Sequence, residues 1–168
     1  MIKKAIVLVI FSSFMIFCLT ACASVINELK DSIENEKHAK ELSEEVVEYI
    51  NNDDVEGMKE LFCEYYQNNF ELEEEIEEFF DSIDGKIISY EFEYSGEIGS
   101  IRDGKWTKQS SLIDLDNIKT DSDNEYHIFI SEYLVYKEDK MKEGVFDFEL
   151  RNSERKKLHQ FIINNQSE

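Results

Sequence analysis

Residues 84–96 read DGKIISYEFEYSG, and the periodicity of the chain changes inside them. Asp84 and Gly85 are turn formers. Beyond them Ile88, Tyr90, Phe92 and Tyr94 alternate with Ser89, Glu91, Glu93 and Ser95. Successive side chains of an extended backbone point to opposite sides, so this alternation marks a strand with one buried face. Upstream of it the apolar residues recur in steps of three and four, the signature of helices with one buried stripe. The segment therefore divides a helical half from a sheet half.

Working downstream, Gly96, Gly99 and the Asp103-Gly104 pair predict a turn region, and Trp106 opens a second strand that runs to about Ile118. The polar stretch 120–125 is a second turn. A third strand over 126–137 carries Tyr126, Ile128, Ile130 and Leu134 on one face and Phe129, Tyr133 and Val135 on the other, which places it centrally with both faces covered. A fourth, 144–151, points Phe146, Phe148 and Leu150 one way. The closing segment, 153–164, sets Leu158, Phe161 and Ile162 opposite Arg155, Lys156 and Lys157, a spacing that predicts a short terminal helix bearing His159.

Working upstream, a third helix covers 72–83, with Leu72, Ile76, Phe79, Phe80 and Ile83 inward and Glu73, Glu74, Glu75, Glu77, Glu78 and Asp81 in solvent. A second, capped by Asp53 or Asp54, carries Val55, Met58, Leu61, Phe62, Tyr65 and Tyr66 and stops at Asn68 and Asn69. A first begins at Ala39 with Leu42, Val46, Tyr49 and Ile50 as its stripe. Amphipathic helices followed by amphipathic strands bury their apolar faces most simply against one another. The expected fold class is α+β: N-terminal helices packed on one face of a curved, four-stranded antiparallel sheet, spanning residues 39–168.

The first residues carry a different message. Lys3 and Lys4 precede an apolar run broken only by Ser12 and Ser13, which ends in Leu19, Thr20, Ala21 and Cys22. A cationic start, a short apolar core and small residues before the cut form an export signal. The last four residues closely resemble the bacterial lipobox, in which the cysteine sulfur receives a diacylglyceryl group and becomes the first residue of the processed chain. Residues 1–21 are read as the signal peptide and 22–38 as a lipid-anchored tether. The resulting expectation is attachment to the outer face of the cell membrane through Cys22, since two acyl chains hold a protein far more durably than one.

Composition narrows the function. Asp and Glu number 38 against 18 Lys and Arg, a formal charge of −20, and loss of the leader would remove two Lys and no acid. Such a chain disfavours a phosphate backbone, so nucleic acid is excluded as a partner. Of three cysteines, Cys18 leaves with the leader and Cys22 carries lipid, which strands Cys63 without an intrachain partner. Its neighbours Phe62, Tyr65 and Tyr66 mark it as a small buried apolar group. No cofactor is expected: the chain has no glycine loop for phosphates, no nucleophile elbow and no His pair at metal spacing. Asp121, Asp123, Glu125 and Glu132 fit part of a calcium-loop count, but Tyr126 stands where that loop requires Gly.

The order of elements, with Asp54 to Phe62 followed by Ile76 to Tyr90, resembles the cone of the nuclear transport factor two-like superfamily, a cystatin-like fold. More narrowly, the lipobox together with DDVEGMKELF (53–62), EEEIEEFFDSIDGKIISYE (73–91) and RDGKWT (102–107) resembles a family of bacterial lipoproteins with a domain of unknown function. The resemblance implies a fold and no chemistry. In such a cone a hollow lies between the helices and the sheet, and Tyr90, Phe92, Tyr94, Trp106, Phe129 and Tyr133, with Phe146 and Phe148, are candidates to line it. The first reading is a tethered module that binds a small apolar ligand or an envelope protein. The alternative is a small hydrolase or isomerase, which would need Asp114 or Glu132 directed into the hollow, or His127 beside a Tyr. A third reading has the acidic surface gather cations or a basic peptide.

Overall fold

The structure, a computed structural model, describes residues 30–161. The leader, Cys22, the start of the tether and Ile162 lie outside the described residues. The chain forms two units, Met1–Lys37 and His38–Glu168. Within the first, residues 30–37 are helical, with Lys30 and Glu34 paired at 3.6 Å and Ile33 exposed. No helix among the described residues is long and apolar enough to cross a membrane.

In the second unit, helix α1 (38–52) buries Ala39, Leu42, Val46 and Ile50, the stripe set by the three-and-four spacing. Asp53 ends it with a left-handed backbone, φ 52°. Asp54 then caps α2 (Val55–Leu61), its carboxylate accepting the Gly57 N–H at 2.9 Å. Asp54→Ala is expected to cost about 1 kcal/mol, read as a lower midpoint in urea unfolding, because one of the orphan N–H groups of the helix start loses its acceptor.

The single second helix expected from the sequence is two. After α2 the backbone of Phe62 and Cys63 extends, with ψ near 150° at both, before α3 (Glu64–Asn69) resumes. The cause lies far away in the chain. Phe62 makes a parallel bridge to Val145, and the Cys63 N–H donates to the Val145 carbonyl at 2.9 Å. A Cβ on the neighbouring Gly144, whose φ is 119°, would lie 3.1 Å from Cys63 Cα, so glycine permits this approach. Helix α4 (Leu72–Asp81) follows the expectation, with Leu72, Ile76, Phe79 and Phe80 buried and its acids outward.

Five strands, not four, form one antiparallel sheet in the order β1-β2-β3-β4-β5: β1 (Ile87–Arg102), β2 (Lys105–Thr120), β3 (Glu125–Tyr136), β4 (Gly144–Asn152) and β5 (Lys157–Gln160). The expected terminal helix is β5. Asn152 accepts the Glu154 and Lys156 N–H groups, and Arg155 adopts φ 58°, which turns the chain back so that Leu150 pairs with His159 and Glu149 with Gln160. The expected turn at Gly96 and Gly99 is a bulge: β1 continues to Arg102 and turns only at Asp103 and Gly104. Gly96 has φ 84°, where Tyr94↔Ile113 gives way to Glu97↔Ser111 and two β1 residues oppose one on β2.

One detail of the deciding segment also differs. Ile87 is buried and Ile88 is 66% exposed, the reverse of the simple alternation. The Asn51 side chain takes both main-chain groups of Ile87, accepting from its N–H at 2.7 Å and donating to its carbonyl at 3.0 Å. The ladder shifts register on both sides of Ser89, so the regular alternation starts one step later, at Tyr90. β3 is central, as expected, but it is not covered on both faces: Phe129, Tyr133 and Val135 stay half-buried. Ile128 and Ile130 pair with Leu150 and Phe148 on one side and Leu115 and Ile113 on the other. These six residues belong to the core cluster that also contains Met58, Phe62, Ile76 and Phe79.

Candidate functional site

Aromatic rings pack the interior where α2 and α4 meet β4. Phe148 lies 5.3 Å from Phe62 and 6.1 Å from Phe79, and Phe161 lies 5.1 Å from Phe62 and 5.4 Å from Phe79, measured between ring centroids. Phe79 and Phe148 are fully buried. Such spacings are those of packed, tilted pairs. The six candidate lining residues do not converge on one hollow. Tyr90, Phe92 and Tyr94 face the helices, since Phe92 pairs with Leu115 and Tyr94 with Ile113, and they pack half-buried against the core. Phe129 pairs with Asp114 and alternates with Ile128 and Ile130, so it occupies the outer face of the sheet, under the Arg151 guanidinium at 4.6 Å. Tyr133 stacks on Phe146 at 4.2 Å and beneath the Lys108 ammonium at 4.8 Å. Trp106 stands opposite Ile101 near the β1–β2 turn.

A polar cluster sits inside the helix-facing side. The Glu132 side chain is 4% exposed, and it accepts the Ser111 hydroxyl at 2.7 Å while its other oxygen meets His38 Nε2 at 3.0 Å. Of the two candidate carboxylates, this is the one directed toward the helices. Both its oxygens are occupied, which suits an anchor between α1 and the sheet more than a free general base. A recess of about 260 Å³ opens beside it, bounded by His38, Glu41, Glu45, Glu60, Leu61 and Glu132. Sequence reasoning named Glu132 but linked it to neither partner: His38, 94 residues away, lies in the charged early segment, and Ser111 carries no motif.

The hydrogen bond to Glu132 raises the His38 pKa above the ordinary histidine value, and the charges of Glu132, Glu41 and Glu45 add to this, against an opposing effect of burial. A folded pKa above the unfolded one means that His38 contributes its full stability below the unfolded value, near 6.5, and loses it as pH rises through the folded value. The expected result is that the difference in melting temperature between the native chain and His38→Gln is largest in mild acid and closes at alkaline pH. Because His38 is half-exposed, solvent screens the effect and the shift is modest.

The outer face holds a second group. His127 Nδ1 lies 2.6 Å from Asp116 Oδ1, and Arg155 reaches the same carboxylate at 3.2 Å. Burial is the largest single influence on Asp116 and would raise its pKa, but the His127 bond and the Arg155 charge together hold it below the usual carboxylate range. Asp116 thus fixes the orientation of the His127 ring. No hydroxyl or thiol bonds to His127 among the described residues, and its carboxylate partner stands where the enzyme reading required a Tyr. Next to it Asp114 faces outward, its pKa raised by burial and by the charges of Asp116 and Glu93.

Other candidates separate. Cys63 is buried, and burial pushes its thiol pKa up, so it is held as an apolar thiol rather than a thiolate. His159 is packed edge-on to Phe79 and Phe161. Of the partial calcium count, Asp121 accepts the Lys86 N–H, whereas Glu132 is the buried anchor just described. No three His, Cys, Asp or Glu side chains are grouped to hold a metal ion among the described residues.

Fold and surface together define an α+β domain with helices on one face of an antiparallel sheet, a packed interior and a charged outer face. The chain belongs to the family described as a domain of unknown function, DUF5104, which matches residues 45–153. No curated protein matches it.

Proposed function

We propose that this chain is an envelope lipoprotein, held at the outer face of the membrane by a diacylglyceryl group on Cys22, whose folded domain works as a protein-interaction module. The observation that favours interaction over a ligand hollow is the cluster of Phe62, Phe79, Phe148 and Phe161, which packs between helices α2 and α4 and the sheet, in the place of the expected hollow. An interior of close-packed rings leaves the surface as the place of work. The leader supports the location: Lys3 and Lys4, the apolar run and Leu-Thr-Ala-Cys at 19–22 are what export and acylation enzymes recognise.

Metabolic labelling with an alkyne fatty acid tests the anchor. The native chain is expected to take up the label and fractionate with membranes, and Cys22→Ala to lose both. Label retained on the Ala variant, or the native chain unlabelled and cytosolic, would contradict the anchor.

A further inference from the structure

Strand β1 is an outer edge of the sheet, since among the described residues only β2 pairs with it. Natural edges are blunted with Lys, Pro or a covering element, because open N–H and C=O groups invite another strand. Asn51 occupies the main-chain groups of Ile87 and a bulge interrupts the strand at Gly96, but the chain has no Pro, and the only cation of β1 is its last residue, Arg102. Exposed instead are Ile88, Ile98 and Ile101, at 66%, 61% and 61%.

The face beside this edge carries an excess of negative charge. Register sets Glu91 opposite Asp116 and Glu93 opposite Asp114, and like charges directly across a ladder are destabilising. The Asp116 pair is offset by His127 and Arg155. The other is not. Asp114 Oδ1 is buried without a hydrogen-bond partner, and no ion pair reaches Asp114 or exposed Glu93 among the described residues.

We propose that β1 receives an added strand from a partner protein, an extended segment with alternating basic residues, one of which lies across from Glu93 and extends over it toward Asp114. An added strand lies about 5 Å from β1 and so about 10 Å from β2, a gap that a Lys or Arg stem and the Asp114 side chain together bridge. Main-chain bonds along the edge supply affinity, the isoleucines supply apolar contact, and the two acids choose the charge. A second copy of the chain fits poorly, because β1 against β1 would bring Glu91 and Glu93 of both copies to one seam between chains of charge −20. The inference rests on the interaction reading and names its surface and partner class.

The test adds three short synthetic strands to the full chain in mild detergent: one alternating Lys and Val, one alternating Glu and Val, and the Lys strand N-methylated at every second residue. Binding is followed by calorimetry and by the emission of Trp106, opposite Ile101. The Lys strand is expected to bind, the Glu strand not to bind, and N-methylation to abolish binding. Glu93→Gln with Asp114→Asn is expected to weaken the Lys strand about tenfold and to flatten its salt dependence, with thermal unfolding confirming that the variant is folded. Binding indifferent to N-methylation or to the double substitution would overturn the proposal, as would no binding at all, or a dimer dispersed by Ile98→Lys. An envelope protein cross-linked to a different face, with the Lys strand ignored, would overturn this surface and leave the interaction reading standing. A small molecule retained in the interior would remove the reading itself.

Discussion

Phe148→Ala is expected to cost about 3–5 kcal/mol of folding stability, a large share of the roughly 5–15 kcal/mol that holds a domain together. Phe148 is fully buried, pairs with Ile130 on the central strand and contacts Phe62, Phe79 and Phe161 from three directions. Its loss removes the transfer energy of the ring and leaves a void between elements that main-chain pairing holds in place, so the site cannot collapse to refill it. Urea unfolding of the native and variant chains measures the difference. A loss below about 1 kcal/mol would mean that the ring borders open space rather than packed neighbours, and the packed-interior account would fail with it.

The second large effect concerns the buried carboxylate. Ser111→Ala removes the donor to Glu132 Oε1 while the side chain remains 4% exposed, which leaves a charge short of a partner. The expected cost is about 1–3 kcal/mol. Adding Glu132→Met to Ser111→Ala is expected to recover most of that loss, because an apolar side chain of similar length needs no donor. The two single variants and the double variant form a cycle whose coupling is read from unfolding midpoints. A double variant less stable than either single one would contradict the assignment of Glu132 as a satisfied anchor.

The elements legible in the sequence were those specified by their own residues. The stripe Leu42, Val46, Tyr49, Ile50 and the alternation from Tyr90 to Tyr94 each follow from a local period, and the structure keeps both, with Tyr49 half-buried. Misplaced features answer to distant partners. The stripe runs unbroken through Phe62 and Cys63, yet Val145 interrupts the helix there. Leu158 and Phe161 have a step that fits a helix, but the open edge of β4 and the turn at Asn152 make the segment a strand. The candidate lining residues divide between faces because alternation says which residues share a side within one strand, not which side of the sheet the helices cover. Glu132 could be suspected from its type, but its partners on α1 and β2 meet it only after the sheet has paired.

Native mass spectrometry of the chain, purified in mild detergent from the cells that make it, tests most directly whether the domain works by its surface around a packed interior. The expected spectrum shows the polypeptide, with the diacylglyceryl group proposed for Cys22, and no further bound molecule. A small molecule at one copy per chain that survives release, and whose removal changes the protection of Ile130 and Phe148 amides in hydrogen exchange, would contradict the account.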